Sequence, residues 1–265
     1  ALLVALLAVP AVVSAQQVTI GVSIPAATHG WTGGVKYWAR VTQQRLQETY
    51  PNLRIVLVTA NDAASQVNDL EDLYAIHNID ALVILPFESE PLTDPVEHLK
   101  NRGVFVTVVD RGFTRDGIAD IYVAGNNPAM GRVSAEYMIE ALGGKGDIVI
   151  LRGIPTVVDN ERFDAFMETI EGTDINVLAW EYAYWNRDDG FRVMQDFLVR
   201  FPKIDAVWAQ DDDIALGVME AVMQGGRQDE MFIVGGAWRK EIIARVMGGD
   251  SLTPVDVLYP PAMIA

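Results

Sequence analysis

The sequence predicts an α/β protein built as two doubly wound parallel-sheet lobes. Three observations carry that expectation. Short apolar runs rich in β-branched residues recur along the chain from Val18. Segments of helical period lie between them. The chain changes character at Gly125-Asn126-Asn127-Pro128, which divides the runs into two series. Strand, helix and strand repeated in this way give right-handed βαβ units. Strands covered on both faces read as continuous apolar runs, as most of these do.

The first series of strands is expected at residues 18–24, 54–59, 81–85, 104–109 and 121–124. The second is expected at residues 147–151, 176–180, 206–209 and 231–234. Between them, Phe163, Phe166, Met167 and Ile170 recur at helical spacing, as do Val193, Met194, Phe197, Leu198 and Phe201. Val35, Trp38, Thr42 and Leu46 form a weaker stripe. Apolar stripes of this kind are the buried faces of helices packed on a sheet. A further helix is expected over residues 214–223. Nine strands could form one sheet, but the change of character at residues 125–128 favours two sheets of four or five strands, one per lobe.

Composition narrows the function. The chain has 265 residues, half of them apolar, which is enough for a substantial core. Its formal charge is −16, and a strongly acidic chain is repelled by phosphate backbones, so no nucleic-acid partner is expected. With no cysteine, a disulfide framework, a thiol nucleophile and a Cys-based zinc site are all excluded. Residues 2–13 form an apolar run broken by Pro10, and Val13-Ser14-Ala15 places small residues where a cleavage site needs them. Residues 1–15 are therefore read as part of a secretory signal peptide, too short for a membrane span. The expected location is the periplasm, as a secreted, soluble protein.

Ligands of open α/β sheets bind beyond the carboxyl ends of the strands. That rule selects Ala27-Thr28-His29-Gly30-Trp31 after the first strand, Pro86-Phe87-Glu88 after the third, and Asp110-Arg111 after the fourth. In the second half it selects residues 152–162 with Asp159 and Asn160, then Tyr182, Tyr184, Trp185 and Asn186, then Asp211-Asp212-Asp213, and finally Trp238-Arg239. Rings, carboxylates, amides and arginines together suit a sugar. Aromatic faces cover its C–H surfaces, and charged groups bond its hydroxyls. Each member also has a plainer reading. Trp31 could be a core ring, Asp110-Arg111 a local ion pair, and the acidic triplet a helix N-terminus, with Asp213 in that role.

At these loops the sequence resembles the ribose-type (type I) periplasmic sugar-binding proteins of ABC importers, from Val18 to the end of the chain. Val18-Thr19-Ile20-Gly21-Val22 is similar to the family's opening strand. Thr28-His29-Gly30-Trp31-Thr32 stands where the family has an Asn-Asn-Pro-Phe-Phe-like segment. Val108-Val109-Asp110-Arg111 matches its sugar-binding Asp-Arg pair. Residues 209–217, Ala-Gln-Asp-Asp-Asp-Ile-Ala-Leu-Gly, match its Ala-Gln-Asn-Asp-x-x-Ala-Leu-Gly segment.

The resemblance implies a ligand site formed by Trp31, Asp110 and Arg111 from one lobe and Asn160, Trp185 and Asp211 from the other. His29, Glu88 and Trp238 are further candidates at the strand ends. Trp185 falls where the family has a stacking ring, Asn160 where it often has an arginine, and Asp211 where it has an asparagine. Gly235-Gly236-Ala237-Trp238 replaces a Gly-Phe-Asp segment, so a carboxylate is lost and a ring gained. These departures argue against ribose itself. Asp256 or Leu258 lies on a segment that often adds a polar contact. The resemblance further implies an N-terminal lobe of residues 16–125 plus 254–265 and a C-terminal lobe of residues 126–253. Crossovers are expected near residues 124–127 and 252–256, and the C-terminus is incomplete relative to the family. It implies a monomer that closes on a neutral sugar or sugar alcohol by hinge motion and docks on an ABC permease, with no cofactor, metal or catalysis.

Three other classes were weighed. An enzyme would need a G-x-G-x-x-G or P-loop motif, and neither occurs; Gly143-Gly144-Lys145-Gly146 precedes a strand rather than a helix. His29, His77 and His98 lack metal-ligand spacing. The effector lobe of a lactose-repressor-type factor shares the expected fold but would follow a helix-turn-helix, not an export signal. A receptor for chemotaxis or signalling uses the same capture step as transport, and the sequence does not separate the two.

Overall fold

The computed structural model describes residues 16–27 and 29–259. Residues 1–15 (the segment expected to be a signal peptide), Thr28 and residues 260–265 lie outside them. The first sheet contains β1 (Val18–Pro25), β2 (Leu53–Ala60), β3 (Ala81–Ile84), β4 (Phe105–Val109) and β5 (Ile121–Val123), in the order β2-β1-β3-β4-β5. The second contains β6 (Lys145–Arg152), β7 (Asp174–Tyr182), β8 (Ala206–Ala209), β9 (Phe232–Gly236) and β10 (Val255–Val257), in the order β10-β9-β8-β6-β7. Every pairing is parallel.

Apart from the loop between β4 and β5, helices connect the strands: α1 (Gly30–Thr49), α2 (Ala63–Ala75) and α3 (Ser89–Asn101) in the first lobe. The second lobe has α4 (Asn127–Leu142), α5 (Val157–Ile170), α6 (Arg187–Arg200), α7 (Asp212–Gln224) and α8 (Lys240–Met247). Among the described residues no helix is long and apolar enough to cross a membrane.

The continuous apolar runs are explained by burial on both faces. In β6, Ile148 and Ile150 enter one core while Val149 and Leu151 enter the other. In β8, Ala206 and Trp208 face the first of these and Val207 and Ala209 the second. Side chains alternate along a strand, so a polar residue at any of these positions would be buried without a partner. Phe166 of α5 stacks on Trp208 at 4.2 Å, and this pair holds the α4–α5 layer to the sheet. A fourth cluster crosses between lobes: Ile24, Trp31, Val35 and Leu85 of the first pack with Met130 of α4 and Tyr259.

One expected boundary is corrected. Residues from 254 onward were assigned to the N-terminal lobe, yet residues 255–257 form β10, paired with β9 in the second sheet. The Asp256 and Val257 backbones continue the ladder of Gly235 and Gly236. The return toward the first lobe begins after Val257, where Tyr259 is buried against Trp31.

Candidate ligand site between the lobes

The carboxyl ends of both sheets face one cavity with an empty volume of about 300 Å³. The first lobe lines it with His29, Trp31, Asp110 and Arg111. The second contributes Met130, Arg162, Trp185, Gln210, Asp211 and Ala237, and Tyr259 comes from the returning segment.

Asp110 follows β4 in the left-handed region, with φ of 60°. Asp is among the few non-glycine residues that tolerate this conformation. Its backbone is fixed by its N–H to the Val123 carbonyl at 2.7 Å and by the Tyr122 hydroxyl donating to its own carbonyl at 2.7 Å. Burial pushes the Asp110 carboxyl up, while Arg162 and Arg111 pull it back down. Arg111 is fully buried. Its Nη1 donates to the carbonyls of Phe87 at 2.8 Å and Pro86 at 3.3 Å, and its guanidinium lies over the Trp185 ring at 4.6 Å. Burial lowers its pKa to about 10, so it stays charged at neutral pH.

Trp185 reaches the cavity from a turn in which Tyr184 and Trp185 both have positive φ, 53° and 51°. The turn is stopped by Asn186, whose side chain caps α6 through the amides of Asp188 and Asp189. Gly153 makes room for the ring: a Cβ there would lie 2.0 Å from Trp185 Cε2. Asp159 holds that glycine in place by accepting from its N–H at 2.9 Å and from Arg152 Nε at 3.0 Å.

Each member of the acidic triplet has its own task. Asp211, not Asp213, is the N-cap of α7; its Oδ1 accepts from the amides of Asp213 and Ile214, leaving Oδ2 toward His29 Nδ1 at 4.0 Å. Asp212 accepts from the amides of Gly236 at 2.9 Å and Arg239 at 2.6 Å, which ties α7 to the end of β9. Asp213 bonds the Arg239 guanidinium and also accepts from the Gly30 amide of the opposite lobe at 2.9 Å. Burial, followed by the charges of Asp213 and Asp212, raises the Asp211 carboxyl well above its ordinary range. His29, Asp211 and Asp213 present ligand atoms within 4.8 Å of one another. The Arg239 guanidinium already supplies the cation for that cluster through Asp213.

His29 is the N-cap residue of α1. Burial, Arg111 and Arg239 depress its imidazole to about 3, so it is neutral. Both its ring nitrogens, the Gln210 amide group and Arg111 Nε are buried and find no hydrogen-bond partner among the described residues.

Of the nine sequence candidates, the cavity brings together His29, Trp31, Asp110, Arg111, Trp185 and Asp211. Three lie elsewhere. Asn160 is exposed on the outer side of α5, where its side chain accepts from Arg152 at 2.7 Å; the arginine that enters the cavity is Arg162, half a helical turn further on. Glu88 is half-buried at the N-cap position of α3. Trp238 is 53 % exposed with φ of 70°, and the loop turns Ala237 inward instead.

The cavity also takes in Arg162, Gln210, Met130, Ala237 and Tyr259, which are not among the nine candidates. Gln210 had a signal, since it stands inside the motif of residues 209–217. Arg162 had one at the end of the strand-end segment. Met130 and Tyr259 lie outside the strand-end segments and the matched motifs.

The chain belongs to the periplasmic binding protein family, whose domain matches residues 20–261. The ribose import binding protein RbsB of Bacillus subtilis (strain 168) is 29% identical over 195 residues, covering 73% of this chain and 63% of that protein. The xylitol-binding protein of Mycolicibacterium smegmatis is 32% identical over 181 residues, covering 66% of this chain and 51% of that protein. The chain thus spans between about half and three fifths of the length of these curated relatives. Among solved structures, the fructose-binding periplasmic domain of a hybrid two-component system superposes with a TM-score of 0.83 at 29% identity, covering 93% of this chain and 81% of that one. A solute-binding protein from Bacillus halodurans C-125 with bound myo-inositol superposes with a TM-score of 0.80 at 21% identity, over 94% of each chain, and shares the fold.

Proposed function

We propose that this chain is the extracytoplasmic solute-binding component of an ABC importer, capturing a neutral sugar or sugar alcohol between its lobes and performing no chemistry on it. The observation that carries this reading is the set of unpartnered buried polar groups on one cavity. The imidazole nitrogens of His29, the amide of Gln210 and Nε of Arg111 need hydrogen-bond partners that a polyhydroxylated ligand supplies. The rings of Trp31 and Trp185 offer apolar surface for its C–H groups. Asp110 faces Arg111 and Arg162, and the other unpartnered groups are uncharged, which suits a neutral ligand.

Lobe closure is the mechanism this arrangement supports. A ligand favours the closed form only through contacts made to both lobes at once. Trp31, Asp110 and Arg111 on one side, and Trp185, Arg162 and Asp211 on the other, are placed to do so. The partner is a membrane permease that recognises the closed form, and the working location is the periplasm. The names of the relatives agree with this reading: ribose import and xylitol binding among curated proteins, and bound myo-inositol in one structure.

The test is a thermal-shift screen of pentoses, hexoses and four- to six-carbon polyols on the full-length protein. A ligand at 100 times its Kd stabilises by about 2.7 kcal/mol, which is readily seen as a shift. No shift with any of them would sink the proposal. A second reading, a sensory receptor, is favoured by the likeness to a binding domain of a two-component system. Uptake of radiolabelled ligand that is lost on deletion of the gene separates transport from sensing.

A further inference from the structure

We infer that Tyr259 sets the length of ligand the cleft accepts, by occupying one oxygen of Asp110 that a ligand hydroxyl would otherwise hold. This deepens the sugar and polyol reading and rests on it.

Tyr259 leaves the second lobe after β10 and ends in the cavity wall, 4 % exposed. Its hydroxyl donates to Asp110 Oδ1. Three further contacts fix the phenol. Trp31 Nε1 donates to the Tyr259 carbonyl at 3.1 Å, the Gly125 amide donates to its hydroxyl oxygen at 3.3 Å, and the Arg162 guanidinium lies over its ring at 4.5 Å. Burial and the Asp110 charge push its pKa up, so the phenol keeps its proton and remains a donor.

A carboxylate with both oxygens free accepts several hydroxyl groups. With Oδ1 engaged by a fixed phenol, Asp110 offers the ligand chiefly Oδ2. The phenol also fills the space beside that oxygen, in the wall of the same cavity. The ligand that matches carries one hydroxyl-bearing carbon fewer than an unobstructed Asp110 would hold, which points to four- and five-carbon sugars or polyols over six-carbon ones. A site built to bond hydroxyls discriminates strongly between ligands that differ by one of them.

Calorimetry on the full-length protein with matched four-, five- and six-carbon polyols and aldoses tests this. For wild type, the best four- or five-carbon ligand should bind at least tenfold more tightly than the best six-carbon one. In Tyr259→Phe, which frees Oδ1 and removes one oxygen from the wall, that ratio should move at least tenfold toward the six-carbon ligand. Tyr259→Leu should move it in the same direction. A merely structural role for Tyr259 would weaken all ligands alike and leave the ratio unchanged, and that result overturns the inference. Equal or tighter six-carbon binding by wild type overturns it without any variant. Wild type that binds none of the series overturns the underlying sugar reading instead.

Discussion

The amide of Gly30, at the N-terminus of α1, donates to Asp213 Oδ2 at 2.9 Å and so joins the two lobes at the rim of the cavity. The same carboxylate holds Arg239 of its own lobe. A second cross-lobe bond runs from the Val157 amide to Ser89 Oγ at 3.1 Å. Asp213→Ala removes the first bond only from the closed arrangement. A hydrogen bond to a charged group contributes about 1.5–3 kcal/mol, so the closed form should lose at least about 1.5 kcal/mol. Ligand affinity should fall roughly tenfold, mostly through faster dissociation. Stopped-flow release of the ligand measures it, and an unchanged dissociation rate counts against the latch.

Asp110→Ala leaves the buried Arg111 and Arg162 without their carboxylate. Asp110 forms no ion pair with either arginine, but its charge acts on both, and losing a buried, hydrogen-bonded charge costs about 2–5 kcal/mol of binding. Titration calorimetry checks it, and affinity equal to wild type would remove Asp110 from the site.

Trp185→Ala should cost on the order of 2 kcal/mol of binding, the scale of a central aromatic anchor. Gly153→Ala should reproduce much of that loss without touching the ring itself, because its methyl group would overlap Trp185. A shifted tryptophan emission in the glycine variant would accompany weaker binding. Wild-type emission and affinity together would show that Gly153 does not seat the ring.

Asn160→Ala should leave ligand affinity within about twofold, since changes at exposed positions away from a contact are worth no more than about 0.5 kcal/mol. Arg162→Ala should lower affinity well beyond that range. The reverse ranking in parallel titrations would return the sequence-based assignment of Asn160.

Stability should fall as pH rises through the physiological range. Asp256 is pushed up to about 8 by burial first and by its neighbour Asp212 second. An unfolded aspartate titrates near 3.9. Between about pH 4 and 8 the folded chain keeps a proton that the unfolded chain has lost, so this group's contribution declines with pH and then levels off. Asp256→Asn removes the titration at nearly unchanged size and shape. The melting temperature of the variant relative to wild type should increase from pH 5 to pH 8; a constant difference would contradict the assignment.

Much of the fold was legible because burial on both faces leaves a one-dimensional trace. Residues 147–151 and 206–209 read as strands from their apolar runs, and they are strands in which every residue except Asp147 is buried. The short β10 was not legible: Val255-Asp256-Val257 is too brief to show a period, and its place beside β9 depends on tertiary pairing. The site was legible where a motif follows a strand directly, as at Asp110-Arg111 and Asp211. It failed at Asn160, because strand-end position and family spacing do not say which face of α5 looks into the cleft, and residues two apart on a helix lie on different faces.

The sequence by itself determined the two-lobed α/β architecture, the strand ends where a ligand must sit, and the aromatic and charged character of the site. These are local: each follows from patterning within a single strand–turn–helix unit. Only the tertiary structure decided which side chains share the cavity. The meeting of Tyr259 with Asp110 spans 149 positions of chain and that of Gly30 with Asp213 spans 183. Contacts of that separation leave no pattern in neighbouring residues, since they exist only once two independently packed lobes are brought face to face.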